Sequence, residues 1–479
     1  MLSISSDDII RRIRFENPWW GPDPRISEAH RECKPRAYLE LFYPLVKDLS
    51  VRRAVVLMGP RRVGKTYMIH HAIQALLTDG VQAKSICYFS VDNPIYNGLR
   101  LEQLLTYYGE AVGLDLKAGS IHVFFDEIQY LREWEIHLKS LVDTYPNIKA
   151  IVSGSAAAAL RLSSEESGAG RFTDFSLPPL TFYEYLNLLD KTDLIGPSTE
   201  TNEEGSAFYT SPAIDELNEQ FLHYLNFGGY PEVIFSPQIQ ADPARFIKSD
   251  IIDKVLLRDL PSLYGISDIQ ELNYLFTTLA FNTANEISLG ELSQNSGVVK
   301  NTIKRYIEYL EAAFLIRRVH RIDRSAKRFN RANFFKVYLT NPSMRAALFS
   351  PVTEDDEAMG HLCETAIFSQ WFHAADDSNI HYARWNDGEV DMVMLGTDQK
   401  PSWAIEVKWS DRYCDAPHEL KSTVAFCKAN DLNHTLVTSK TKTMNCVQDG
   451  IEIEFIPASI YCYMVGYNII RSQVGKASL

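Results

Sequence analysis

The sequence predicts an α/β protein in several domains: a mostly parallel sheet built around a phosphate-binding loop, a helical lid, a winged helix-turn-helix, and a second, smaller α/β domain at the C-terminal end. Three observations predict it. From Arg53 to Ser153 apolar strand-length runs alternate with helical stretches, the pattern of a parallel sheet covered on both faces. A glycine-rich, lysine-containing turn stands at the first strand-to-helix junction. Beyond Met359 the pattern restarts as helix, strand, strand, helix, strand. With 479 residues, 46% of them hydrophobic and 23% charged, the chain exceeds what one core organises, so two to four domains are expected.

Several classes are excluded by composition. No apolar run reaches the ~18 residues of a membrane span, and Ile456 to Ile470 is short and contains Pro457, Ser459 and Asn468, which suits a core strand or helix. The N-terminal residues Met1 to Asp8 lack the basic and then apolar order of a secretory signal, which predicts a cytoplasmic protein. Cys33, Cys87, Cys363, Cys414, Cys427, Cys446 and Cys462 form no C-x-x-C pair and are odd in number, so neither a disulfide framework nor a zinc site is expected. A net charge of -13 speaks against a nucleic-acid field over the whole molecule and leaves room for a local basic face.

In chain order, residues 1–50 read as an arm, with the cluster Asn17-Pro18-Trp19-Trp20-Gly21-Pro22 and a helical pattern through Tyr38, Leu41, Leu45 and Leu49. The tryptophans are read as hydrophobic anchors of that arm. Residues 51–193 form the nucleotide-binding core, with strands at Ala54–Met58, Ser85–Val91, Ile121–Phe125 and Ala150–Ser153. Residues 194–280 are a turn-rich linker through Asn202 to Ser206 followed by a helical lid, interrupted by Phe227-Gly228-Gly229-Tyr230-Pro231. Residues 281–345 read as the winged helix, and 346–479 as the final α/β domain.

Gly59-Pro60-Arg61-Arg62-Val63-Gly64-Lys65-Thr66 satisfies G-x-x-x-x-G-K-[ST], after an apolar strand and before a helix. The glycines let backbone N–H groups wrap phosphates, Lys65 places its charge on the outer ones, and Thr66 reaches a magnesium ion. This is a P-loop, and it predicts ATP and Mg2+ as ligands. The second half of the site is expected on a neighbouring strand, where His122-Val-Phe-Phe-Asp126-Glu127 offers Asp126 for the metal and Glu127 for the attacking water. Ser153-Gly154-Ser155 closes a further strand with hydroxyls suited to sensing a terminal phosphate. His70 and His71 follow the P-loop but are adjacent instead of at i, i+4, so no metal pair is expected.

The order of the arm, the P-loop, Phe124-Phe125-Asp126-Glu127-Ile128-Gln129, Ser153-Gly154-Ser155, Gly170-Arg171 and Leu180-Thr181-Phe182-Tyr183-Glu184-Tyr185-Leu186 resembles bacterial and archaeal AAA-type ATPases with a C-terminal DUF4143 region. The resemblance runs from Asn17 to about Trp409. It implies an arginine finger at Arg171 acting on a neighbouring subunit, hence a homo-oligomer, and a second phosphate-contacting arginine at Arg258.

Ser288 to Glu311 has a short helix, a turn at Gly297 and a longer helix whose Ile303, Ile307 and Leu310 face inward. Lys300, Asn301, Lys304 and Arg305 are left outward. Arg317, Arg318, Arg321, Arg324, Lys327, Arg328 and Arg331 follow, opposed in sequence by Asp323 alone, and together they suit double-stranded DNA. In the last domain Glu364, Asp391, Glu406 and Lys408 recur on a helix and two strands, with Glu406 and Lys408 on one strand face. The three acids are candidate magnesium ligands and Lys408 a candidate catalytic cation. This part resembles the PD-(D/E)XK nucleases, with Val390-Asp391 where the family has Pro-Asp, and Glu389 reads as a solvated loop acid.

Overall fold

Ala-Val-Val-Leu-Met at 54–58 is apolar throughout, as a strand covered on both faces must be, and it forms the fully buried β1 (Ala54–Met58). The computed structural model describes residues 5–154, 170–201, 207–266, 268–327, 333–371 and 379–477. Ser155, Asn202 to Ser206, Arg328 and Arg331, singled out above, lie outside the described residues. The chain divides into two compact units, Met1–Pro178 with Ile470–Leu479, and Pro179–Ile469. Among the described residues no helix is long and apolar enough to cross a membrane.

The first unit is a five-stranded parallel sheet, formed by β1 with β2 (Ile86–Ser90), β3 (Ile121–Asp126), β4 (Ile148–Gly154) and β5 (Phe172–Ser176), in the order β2-β3-β4-β1-β5. Helices Lys65–Thr78, Leu101–Val112 and Trp134–Thr144 connect the strands, all amphipathic or apolar enough to bury one face. The expected strands and helices lie within a few residues of those observed. Strand β5 had no strong sequence signal, because Phe172 and Phe175 stand three positions apart and Phe-Thr-Asp-Phe-Ser offers neither a continuous apolar run nor a strand alternation.

The arm's purpose is visible at β2, an edge strand with unpaired backbone groups. Helix Ser6–Glu16 delivers Asn17 to it. The Asn17 side chain accepts from Tyr88 N–H at 2.7 Å and donates to the Tyr88 carbonyl at 2.9 Å, as a neighbouring strand would. The indole N–H groups of Trp19 and Trp20 both donate to the Ile86 carbonyl, at 3.0 and 2.8 Å. Side chains thereby cover the edge, where among the described residues no sixth strand pairs.

The second unit opens with a helix, Phe182–Leu188, started by a capping box in which Thr181 and Glu184 satisfy each other's backbone N–H. A β6–β7 hairpin (Gly196–Thr201 and Ala207–Thr210) stands where the sequence suggested only a loop. Helices then run from Ile214 to Phe281, including π-helical turns at Ala244–Asp253 and Val255–Asp259. The rest is built on one mixed nine-stranded sheet comprising β8 (Glu286–Ser288), β9 (Ile316–Ile322), β10 (Phe334–Leu339), β11 (Ile380–Trp385), β12 (Gly388–Leu395), β13 (Pro401–Glu406), β14 (His434–Ser439), β15 (Met444–Gln448) and β16 (Ile451–Pro457). Its order is β15-β16-β14-β13-β12-β11-β9-β10-β8.

The helix-turn-helix, Leu289–Ser296 and Lys300–Ala312 around left-handed Gly297, packs on β8 to β10 through Ile303, Ile307 and Leu310. Strands β9 and β11 pair in parallel, Tyr382 opposite Arg321, so segments 281–345 and 346–479 share a single sheet. The apolar run around Ile456 resolves into β16 and the helix Ala458–Ala477.

Candidate functional site

The P-loop leaves β1 at Gly59, whose φ of +157° and surroundings both require glycine, since a Cβ there would stand 2.1 Å from the Leu177 carbonyl oxygen. Arg62 and Gly64 adopt left-handed conformations, φ 65° and 94°, which turn the loop into the helix that begins at Lys65. Val63 is buried, and its carbonyl accepts from Arg36 Nη1 at 2.8 Å, while the same nitrogen donates to the Pro178 carbonyl at 3.0 Å. A buried arginine of the arm thus braces the loop, with Gly59, Pro60 and Arg61 forming its first part. Lys65 Nζ donates to the Gly59 and Pro60 carbonyls at 3.1 and 2.8 Å. Burial lowers its pKa, and the nearby Glu127 and Asp126 oppose that shift.

The acidic strand is not the immediate neighbour the sequence suggested. β4 lies between β1 and β3, so Asp126 meets the P-loop across the end of β4. Thr66 Oγ1 donates to Asp126 Oδ2 at 2.7 Å, and Tyr88 OH donates to the same oxygen at 2.9 Å. Ser153 Oγ, at the end of β4, donates to Asp126 Oδ1 and accepts from Glu127 N–H at 3.2 Å. In this arrangement the Ser153 hydroxyl joins the Asp126 carboxylate to the Glu127 backbone. Glu127 itself has φ 59° and ψ 45°, and Gln129 Nε2 donates to its carboxylate. The strained backbone turns Glu127 out of the strand direction. Two oxygens, from Thr66 and Asp126, together with Lys65 and the loop N–H groups fit a magnesium-bound triphosphate.

Arg171 and Arg258 do not join this site within the unit that holds it. Arg171 precedes β5, and its carbonyl accepts from Ala54 N–H at 2.9 Å, at the opposite end of β1 from the P-loop. Four residues of strand put that end about 13 Å from Met58. Its guanidinium pairs with Asp143 at 3.1 Å. Arg258 belongs to the second unit, in the π-helical turn Val255–Asp259.

The second unit carries the other candidate residues. Lys300, Asn301, Lys304 and Arg305 are all exposed on the helix Lys300–Ala312. The basic run behind them is less free than its sequence suggested, because Arg318 pairs with Glu311 at 3.0 Å and Arg321 with Glu286 at 3.5 Å. Glu311 lies seven positions before Arg318, just ahead of the run, and Glu286 lies 35 positions before Arg321.

Glu364, Asp391 and Lys408 do converge, on one cavity of about 480 Å³, and Glu406 joins them from outside its lining through Lys408. Lys408 Nζ lies 2.6 Å from Glu406 and 3.7 Å from Asp391 Oδ2. A residue the sequence did not single out, Lys336, enters the same cluster from β10, 2.9 Å from Glu364, 2.7 Å from Glu389 and 3.5 Å from Asp391 Oδ1. Glu389 is therefore no solvated loop acid, since it is on β12 and also pairs with Arg384 at 3.3 Å. Burial pushes Glu364 and Glu406 each up to about 7, helped by the charge of Asp391. Asp391 is also buried, yet Lys408 and Lys336 hold its carboxyl below the usual range. Among the described residues no three His, Cys, Asp or Glu side chains form a metal-binding group. The donor set does not fit magnesium, because ammonium groups already stand between the carboxylates.

A parallel sheet in the order β2-β3-β4-β1-β5, with G-x-x-x-x-G-K-T after β1 and an Asp-Glu pair at the end of β3, defines a P-loop nucleotide-binding domain of the ATPase type. Comparison with known proteins gives it a narrower place: residues 51–186 match the AAA domain family AAA_14, so the chain carries an AAA domain. Residues 218–355 match a domain of unknown function, DUF8612, where the sequence resemblance pointed to a DUF4143 region. An uncharacterised protein of Methanocaldococcus jannaschii is 23% identical over 409 residues, covering 82% of this chain and 84% of its own. Another, from Haemophilus influenzae, is 22% identical over 297 residues, 60% of this chain and 68% of its own. Among solved structures, the Walker-type ATPase of Pyrococcus abyssi aligns with 65% of this chain and 94% of its own, at 15% identity and a TM-score of 0.38.

Proposed function

We propose that the protein is a magnesium-dependent ATPase whose nucleotide state controls the second unit. The observation that carries the reading is the convergence of Thr66, Tyr88 and Ser153 on one carboxylate, Asp126, with Glu127 next to it and Lys65 in the P-loop. Lys65 and the loop N–H groups bind the phosphates, and Thr66 and Asp126 hold the metal. Magnesium, when bound, neutralises charge on the phosphate oxygens. Glu127 orients a water molecule and accepts its proton as the water attacks the terminal phosphorus, the bond from that phosphorus to the bridging oxygen breaks, and ADP leaves with the electron pair. Gln129, bonded to Glu127, fixes the direction of that carboxylate.

In this reading Arg171 acts in trans. At the opposite end of β1 from its own P-loop it has no route to the phosphates bound there, which supports a homo-oligomer in which a neighbouring site uses it. The second unit contacts double-stranded DNA through Lys300, Asn301, Lys304 and Arg305, whose shared exposure on the second helix of the helix-turn-helix supports that assignment. Arg258 is assigned to phosphate contact from the sequence resemblance alone.

The test is nucleotide binding and turnover in purified protein. Lys65→Ala is expected to lose nucleotide affinity. Glu127→Gln is expected to bind ATP normally and to hydrolyse it at least ~100-fold more slowly, the usual contribution of a general base. Wild-type turnover by Lys65→Ala would end the reading. Mixing Lys65→Ala with Arg171→Ala is expected to restore part of the activity that each lacks alone, whereas independent defects leave the mixture inactive.

A further inference from the structure

We infer that Lys336 is the resident cation of the acidic cavity in the second unit, occupying the place of a divalent metal, so that this nuclease-like pocket binds no magnesium and cleaves no phosphodiester. The inference concerns the second unit alone and does not depend on the ATPase reading.

The placement begins with strand alternation. In β10, Phe335, Val337 and Leu339 point into the apolar cluster beneath the helix-turn-helix, which sends Lys336 and Tyr338 to the other face. Both reach Glu364 on the helix Met359–Trp371 there, Tyr338 OH donating to Oε1 at 2.6 Å and Lys336 Nζ at 2.9 Å. The lysine is only 3% exposed. A buried ammonium is tolerated only when opposite charges surround it, and Lys336 has three carboxylates, Glu364, Glu389 and Asp391.

The two lysines then divide Asp391 between them. Lys336 faces Oδ1, while Lys408 faces Oδ2, which also accepts from Val407 N–H at 2.9 Å. Glu406 is taken by Lys408 and by Thr423 Oγ1 at 3.1 Å. Magnesium needs oxygens at about 2.0–2.1 Å in near-octahedral order. An ammonium at 2.9 Å from Glu364 and 3.5 Å from Asp391 stands where such an ion would bridge those two acids, and it supplies the charge the ion would have supplied. Removing Lys336 therefore leaves three acids facing one another with a cavity beside them.

Titration of nucleotide-free full-length protein with Mn2+, followed by the loss of free-ion signal in electron paramagnetic resonance, tests this. Asp126→Asn in every sample removes the metal carboxylate of the P-loop unit. That protein is expected to show no Mn2+ site, Lys336→Met added to it is expected to create one, and Asp391→Asn added to both is expected to abolish it. The inference is overturned if the Lys336→Met protein, folded by its cooperative melting, gains no site. It is equally overturned if the protein with native Lys336 binds one Mn2+ and loses it on Asp391→Asn, a comparison that decides the matter without the lysine variant should that variant fail to fold.

Discussion

The hydroxyl of Tyr88 donates a 2.9 Å hydrogen bond to Asp126, and the backbone of the same tyrosine is bracketed by Asn17 of the arm. One edge-strand residue thus links the arm to Asp126, the carboxylate proposed to hold the metal. Burial raises the Tyr88 pKa and the neighbouring Asp126 charge raises it further, so the phenol stays a donor at any working pH. Tyr88→Phe keeps the ring and removes the bond. Hydrogen bonds to charged groups contribute about 1.5–3 kcal/mol. ATP affinity without metal is expected to be unchanged, while the Mg2+ concentration for half-maximal hydrolysis rises about tenfold or more; a metal dependence like wild type would show that Tyr88 plays no part in positioning Asp126.

Asn17→Ala isolates the arm's contribution. The substitution leaves the Tyr88 N–H and carbonyl buried beside the indoles without their side-chain partner, and it removes a third bond, to the Ile13 carbonyl at 2.8 Å. Each buried group left unsatisfied costs about 1–3 kcal/mol. Denaturant unfolding is expected to show a loss of about 2–4 kcal/mol, with the far-ultraviolet spectrum of the native state unchanged. An unaltered midpoint would mean that the edge of β2 needs no cover.

Much of this architecture is legible in the residues. The parallel sheet is read from runs such as Ala54–Met58 and Ile121–Asp126 because strands buried on both faces must be apolar, and the P-loop because its glycines admit few alternatives. Asp126 and Glu127 are found because they end such a run. Strand order is a different matter: nothing in the local sequence says that β4 separates β3 from β1, and so the bond from Ser153 to Asp126 is visible only in the fold. Lys336 escaped notice for a similar reason. In Phe-Phe-Lys-Val-Tyr-Leu a lysine reads as the solvated side of an edge strand, and its three carboxylate partners lie 28 to 55 positions further along the chain. Charge opposition counted along the sequence fails wherever pairing is made by the fold, as Arg321 with Glu286, 35 positions away, illustrates.

The exposed basic face offers a prediction that separates contact with DNA from a solvated helix. Lys300, Lys304 and Arg305 are free of carboxylate ion pairs among the described residues, apart from an Arg305 hydrogen bond to Tyr309 OH at 3.1 Å. Each phosphate contact contributes about 0.9 to the slope of log affinity against log salt. Lys304→Ala is expected to lower that slope for a duplex by roughly one, and Lys300→Ala with Lys304→Ala by roughly two, with thermal stability unchanged. Fluorescence anisotropy at several salt concentrations measures it, and slopes equal to wild type would assign this face to solvent or to a protein partner.

His70 makes the stability of the P-loop unit depend on pH. Its ring stacks on His30 at a centroid distance of 3.9 Å, meets Tyr88 at 4.8 Å and Trp19 at 6.2 Å, and its Nδ1 has no hydrogen-bond partner among the described residues. Burial lowers its pKa from the ordinary 6.5 to about 3, and the neighbouring His30 and His71 push it the same way. The unfolded chain therefore takes up a proton below pH 6.5 that the folded chain refuses until about pH 3. Stability from this residue is complete above pH 6.5 and falls as the pH falls toward 3, by on the order of 2 kcal/mol between pH 7 and pH 5. His30, lowered mainly by its own partial burial, adds to the same trend, while Asp126 opposes it at His30. His70→Phe keeps an aromatic ring against Trp19 and Tyr88 and cannot take up a proton. Its stability relative to wild type is expected to rise as the pH is lowered from 7 to 5, measured by urea unfolding at each pH. A difference that stays constant over that range would show that His70 is protonated equally in the folded and unfolded chains.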